Sequence, residues 1–135
     1  MSKELMDKAN VALASASILL DAGDSDGAVS RAYYAMYDAA RAVIDWAGLT
    51  PPREDFKSHS GLISYFGLHF AKTGKLPIEL GRSLNRINEL RSIADYLAEP
   101  VPHDKAAEAI QEARKFVTSI QSFIQQPKKL KPPVP

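Results

Sequence analysis

The sequence predicts an all-α protein, an up-and-down bundle of four or five helices folded as one domain over residues 1–126. Three observations carry that expectation. Apolar residues recur at spacings of three and four, as in Leu5, Ala9, Ala12, Ala16 and Leu19, and again in Ala106, Ile110, Ala113, Val117, Ile120 and Ile124. All nine prolines fall between or after such runs, where a missing N–H does no harm. No stretch alternates convincingly in the strand manner, and 135 residues with 45% hydrophobic content suit a single core.

The elements follow in order. Helix one covers about residues 3–22, and Gly23 stops it, because glycine takes the left-handed conformation without a Cβ clash. Asp24 or Ser25 caps helix two, about residues 25–47, and so short a gap makes the first two helices an antiparallel hairpin. A loop over 49–57 carries Pro51, Pro52 and several charges. Ser58 or Ser60 caps a third helix, about residues 59–72, with Leu62, Ile63, Phe66 and Phe70 inward. Pro77 suits a first helical turn and opens helix four, about residues 77–98, which Pro100 and Pro102 end. Helix five spans about residues 104–126. The tail, 127–135, is basic and proline-rich, the composition of a disordered segment.

Helix two is the expected centre. Val29, Ala32, Tyr33, Met36, Ala40, Val43 and Ile44 form one broad apolar side, and Ala35, Ala39, Ala42 and Trp46 form a second stripe. Small side chains in a stripe let a neighbouring helix approach closely. The remaining polar strip holds Arg31, Tyr34, Asp38, Arg41 and Asp45, and Arg31, Tyr34, Asp38 and Arg41 are the candidate binding residues. A chain of this length need not have enough surface of its own to cover both stripes, so a two-fold homodimer is expected that buries part of helix two or four and sets the Arg91 regions of both chains along one groove.

Charge and motifs narrow the function. Lys128, Lys129 and Lys131 lie in the last nine positions, which hold no acid; the other 14 basic residues stand against 16 acidic ones, a body of −2. Bulk charge therefore does not make a nucleic-acid binder, and any RNA contact needs a local cluster. The chain has no cysteine, so disulfides and thiolate metal sites are excluded. No apolar run follows Met1-Ser2-Lys3-Glu4 or approaches the ~18 residues of a membrane span. A cytoplasmic protein without membrane contact is the expectation. Gly74-Lys75 lacks the spacing and the Ser or Thr of a phosphate loop. His59, His69 and His103 show no metal-ligand spacing, so neither metal nor cofactor is expected, and each reads as a surface or capping residue.

Helix four carries the sharpest anomaly. With Leu80 at zero on a helical wheel, Leu84, Ile87, Leu90, Ala94 and Leu97 span an apolar arc from about −100° to +40°, and Arg91 falls inside it at about +20°. Asp95, four residues on, sits at its edge. A buried charge must be paired or used. Two readings follow: a structural Arg91–Asp95 ion pair tying helix four to Asp38 or Tyr34 of helix two, or a polar cleft built of Arg91, Asp95, Tyr96 and the helix-two strip.

The run Arg31-Ala32-Tyr33-Tyr34-Ala35-Met36-Tyr37-Asp38-Ala39-Ala40-Arg41-Ala42 resembles the central helix of HEPN-domain proteins. The series that follows resembles them too: His59-Ser60-Gly61-Leu62-Ile63-Ser64-Tyr65-Phe66-Gly67, then Lys72-Thr73-Gly74-Lys75-Leu76-Pro77, then Glu89-Leu90-Arg91-Ser92-Ile93-Ala94-Asp95-Tyr96. The likeness covers about residues 5–125, in the small stand-alone prokaryotic branch. It implies a dimeric bundle, often paired with a minimal nucleotidyltransferase in toxin–antitoxin or defence systems. Many such proteins are metal-independent ribonucleases with Arg followed, four to six residues on, by His. Arg91-Ser92 matches the front of that motif, but Asp95 and Tyr96 stand where the histidine belongs. Arg53 and His59 have the spacing but lie in a loop and at a helix start, so they are set aside. Tyr96 is also a loose match to a tyrosine that partners modify by AMP transfer.

The sequence thus points to a dimeric toxin–antitoxin or defence-type module that binds a nucleotidyltransferase partner, RNA, or both, with a degenerate ribonuclease motif. Its alternatives are an active metal-independent endoribonuclease using Arg91 with Asp95 or Tyr96, and a helical small-ligand-binding protein.

Overall fold

A computed structural model describes residues 1–51 and 58–125. They form five α-helices and no strand: α1 Ser2–Asp21, α2 Ser25–Trp46, α3 His59–Phe66, α4 Ile78–Tyr96 and α5 His103–Gln125. The all-α bundle read from the sequence is the fold observed. Six positions of the expected 49–57 loop, 52–57, and the whole tail expected at 127–135 lie outside the described residues.

The punctuation works as its chemistry dictates. Asp24 caps α2 by accepting from the Gly27 amide at 2.8 Å, and Ser58 caps α3 by accepting from the Gly61 amide at 3.0 Å. Gly23, Gly48 and Gly74 are the three glycines with positive φ, each at a turn.

Helix α2 is the hub and touches each of the other four helices. Ala9, Ala12 and Ala16 of α1 and Ala28, Ala32, Ala35, Ala39 and Ala42 of α2 have no exposed surface, so small side chains bring neighbouring axes close. Tyr33, Phe66, Phe70, Phe116, Leu84 and Ile120 fill the middle. Trp46, at the end of the second stripe, packs edge-on against Phe123 of α5 at 5.4 Å between ring centroids. Both stripes of α2 are therefore covered within one chain. The surplus apolar surface expected to drive a homodimer is not on α2.

Two elements differ from the sequence reading. The third helix is α-helical only to Phe66 and then widens into a π turn, Gly67–Ala71, closed by the Lys72 amide on the Gly67 carbonyl at 2.8 Å. The wider winding brings Ala71 round to the face of Phe66 and Phe70. There it is buried against α4, where Gly81 leaves room: a Cβ added at Gly81 would sit 3.3 Å from that of Ala71. Helix α4 stops at Tyr96. Leu97 turns into extended backbone (φ −85°, ψ 142°) and leaves the apolar arc, 59% exposed. No described helix is long and apolar enough to cross a membrane.

Candidate functional site

Where α2, α3 and α4 meet, one cluster joins a histidine, two arginines and three tyrosines. Tyr33, Tyr34 and Tyr37 project from α2 at i, i+1 and i+4. The Ser58 cap fixes the start of α3 and so sets His59, its first residue, against them. The Tyr33 hydroxyl lies 2.7 Å from His59 Nδ1. The His59 ring sits 4.9 Å from Tyr37, 5.3 Å from Tyr33 and 5.7 Å from Tyr34 between centroids. From α4, the Arg91 guanidinium carbon stands 4.8 Å from the Tyr33 ring centroid and 6.0 Å from that of Tyr34. Arg31 reaches the Tyr34 ring from its own helix, also at 6.0 Å.

The electrostatics assign protons. Burial pushes the Tyr33 phenol far above its ordinary value, so it stays a hydroxyl. Its only hydrogen-bond partner among the described residues is His59 Nδ1, so the Tyr33 O–H donates and Nδ1 accepts. That assignment, made from geometry, leaves the ring hydrogen on Nε2. Burial first, and then the nearby Arg91 charge, hold the His59 pKa below the usual 6.5, so the imidazole is neutral at neutral pH. Two N–H-bearing groups, the imidazole and the guanidinium, thus stand on one tyrosine. This arrangement can bind an anion, and the half-buried Tyr34 and Tyr37 rings beside it can stack a base.

The structure sorts the residues singled out from the sequence. Arg91 is in the cluster, its side chain 18% exposed. Nη2 donates to Asn88 Oδ1 at 3.0 Å, Nη1 reaches Asp95 Oδ2 at 3.4 Å, and Nε is buried without a hydrogen-bond partner. Asp95 is 64% exposed at the rim. Tyr96 is 88% exposed on the last turn of α4 and makes no ring contact with the cluster among the described residues. Arg31 and Tyr34 belong to the cluster. Asp38 and Arg41 do not: they pair with each other at 3.9 Å, with Asp38 buried. Arg91 therefore ties α4 to α2 through an aromatic ring rather than through the Asp38 carboxylate. His59, Tyr33 and Tyr37 went unmarked as site residues. The signal available was an N-cap serine directly before a histidine, and three tyrosines on a helix otherwise made of small residues.

The Asp38 carboxyl is raised from its usual value mainly by desolvation, which outweighs the attraction of Lys8, Arg41 and Arg31. A raised folded pKa means that the stabilising contribution is complete below the unfolded pKa and is lost as pH rises through the folded one. Asp38→Asn is accordingly expected to raise Tm at pH 7, with the gain shrinking toward pH 4. Thermal melts of both proteins at the two pH values check this; a variant less stable than wild type at pH 7 would contradict it.

Comparison with known proteins adds a second line. The HEPN domain family matches residues 2–123. A protein named UPF0332 from Gloeobacter violaceus is 46% identical over 94 residues, 70% of this chain and 71% of its own length. The protein named "Putative toxin MJ0605" from Methanocaldococcus jannaschii is 33% identical over 122 residues, 90% of this chain and 87% of its own length. A UPF0332 protein from Thermotoga maritima is 33% identical over 120 residues, 87% of this chain and 86% of its own.

Proposed function

This chain belongs to the HEPN domain family, and on that footing we propose that it is a toxin-type, homodimeric RNA-binding module. In this reading Arg91 and His59 hold a backbone phosphate beside the Tyr33–Tyr34–Tyr37 platform. The observation that carries the reading is that α3 brings His59 onto the tyrosine that Arg91 stacks upon. The guanidinium supplies charge and His59 Nε2–H a neutral donor, while the rings give sequence-tolerant stacking. The toxin naming of two relatives points the same way. A cytoplasmic setting and pairing with a minimal nucleotidyltransferase belong to the same proposal.

Metal-independent RNA cleavage is the second reading, favoured by the neutral state of His59. A base must accept the 2′-hydroxyl proton. In the assigned tautomer the unengaged nitrogen of His59 carries hydrogen. Moving it to Nδ1 leaves the buried Tyr33 hydrogen without an acceptor, at a cost of about 1–3 kcal/mol, roughly a 5- to 150-fold smaller base-competent population. Binding is therefore placed ahead of cleavage.

Fluorescence anisotropy with a labelled single-stranded RNA, run with chelator present, tests both readings. Micromolar binding that weakens in His59→Ala, with intact RNA after hours, is the expected result. Products ending in 2′,3′-cyclic phosphate that disappear in His59→Ala would promote the second reading, and absence of wild-type binding would remove both.

A further inference from the structure

A polar ridge leads away from the cluster. Arg82, Asn85, Asn88 and Arg91 follow one another at steps of three on α4, the spacing of a row that winds obliquely round a helix. At one end Asn88 Oδ1 accepts from Arg91 Nη2 at 3.0 Å. At the other, Asn85 and Arg82, both exposed, line a groove of about 640 Å³ between α4 and the helical run of α3 with its π turn. Ser60, the residue after His59, lines the same groove. The two walls are consecutive in the chain and joined by residues 72–77, so they run antiparallel. The close approach of Ala71 to Gly81 marks the joined end, and Ser60 lies at the opposite end of its wall. That end of the groove therefore adjoins His59, whose ring packs on Tyr33 and Tyr37.

The charge of the groove is one-sided. Lys72 and Arg82 are its charged lining residues, and no carboxylate lines it among the described residues. The two cations follow Ala71 and Gly81 in the chain, the pair whose contact brings the walls together, so they stand close to one another. Lys72 forms no ion pair among the described residues, and Arg82 reaches only Glu79, at 3.9 Å across an exposed i, i+3 pair of little worth. Neighbouring cations repel, and an anion laid between them relieves that repulsion. The rest of the wall suits a flat, partly polar ring. Leu68, 54% exposed, and Ile78, 57% exposed, present apolar surface, while Ser60 and Asn85 offer donors and acceptors.

We propose that this groove continues the RNA site: a single strand with one phosphate held at Arg91 and His59 follows the Asn88–Asn85 ridge, sets a base against Leu68 and Ile78, and lays a further phosphate between Lys72 and Arg82. The inference rests on the RNA-binding reading above and adds the substrate class, a single strand of several nucleotides. Arg82 and Arg91 are nine residues apart on α4, about 13.5 Å along the axis and roughly 19 Å along a row inclined at about 45°. A mononucleotide does not bridge that distance. A duplex keeps its bases paired and has none to give Leu68 and Ile78.

Fluorescence anisotropy with end-labelled oligouridylates of three and eight nucleotides tests this. The eight-mer should bind wild type well over tenfold tighter than the three-mer. Lys72→Gln with Arg82→Gln should weaken the eight-mer at least tenfold and lower the slope of log K against log salt by about 1.4, the share of two single-strand phosphates. The same double variant should leave the three-mer within twofold and the melting temperature unchanged, since both side chains are exposed. His59→Ala should weaken both lengths. Equal affinity for the two lengths, an eight-mer indifferent to the double variant, a three-mer weakened as much as the eight-mer, or an RNA duplex of eight base pairs bound as tightly as the single strand would each overturn the inference and leave the His59–Arg91 site standing. A wild-type protein that binds neither length would overturn the RNA reading, and the groove's part in it as well.

Discussion

Tyr33→Ala is expected to remove about 3–5 kcal/mol of unfolding free energy, the usual cost of emptying a large aromatic site in a core, and to lower Tm by roughly 10–20 °C. The reason is position. Tyr33 has no exposed surface, lies on the hub helix, and is the side chain through which α3 and α4 both meet α2. Deleting it leaves a cavity and strips His59 and Arg91 of their support at once. Tyr33→Phe keeps the ring and should cost only about 1 kcal/mol, one hydrogen bond. It also frees His59 Nδ1, which ¹⁵N shifts of the imidazole will report as a mixed tautomer. Denaturant unfolding of the two variants measures the contrast. A loss below ~1 kcal/mol for Tyr33→Ala would show that the ring does not join the three helices.

Arg91→Ala is expected to weaken RNA binding about 10- to 150-fold, the worth of one charge-assisted hydrogen bond to phosphate, while costing only about 1–2 kcal/mol of stability. The stability figure is small because no carboxylate is stranded. Asp95 is mostly exposed and 3.4 Å away, so Asp95→Asn should change stability by less than ~0.5 kcal/mol. What Arg91→Ala loses is packing of its stem, the hydrogen bond to Asn88 Oδ1 and the attraction of the guanidinium to the Tyr33 ring. Arg91→Met separates the two effects. It keeps the stem and removes the buried Nε that has no hydrogen-bond partner, so stability should stay within about 1 kcal/mol of wild type while binding falls as in Arg91→Ala. Denaturant melts run beside the anisotropy titration decide the matter. A cost of 3–5 kcal/mol for Arg91→Ala that Asp95→Asn restores would return Arg91 to a structural ion pair.

The helices were legible in the sequence because local rules set them: Asp24 and Ser58 cap, Gly23 and Gly48 stop, and the prolines stand between the helical runs. Arg91 could be singled out for the same kind of reason, since a charge inside an apolar arc violates a period that one helix alone defines. Residues whose importance depends on a different helix were not legible. His59 is 32 positions from Arg91, and nothing in its own neighbourhood beyond the Ser58 cap says that its ring will meet Tyr33 and fall within the field of Arg91. The π turn at Gly67–Ala71 was equally hidden: it stands where Ala71 packs closely on Gly81 of the next helix, a contact between residues ten positions apart. Asp38 and Arg41 share the polar strip with Tyr34 by periodicity, yet only the tertiary structure buries Asp38 and leaves Tyr34 half-open at the cluster. The sequence by itself determined the five helical segments, the short list of residues that could cap the second and third, and the central place of α2, through interactions a few residues apart. Only the tertiary structure decided which side chains from three helices share a site, because that depends on how closely their axes pack.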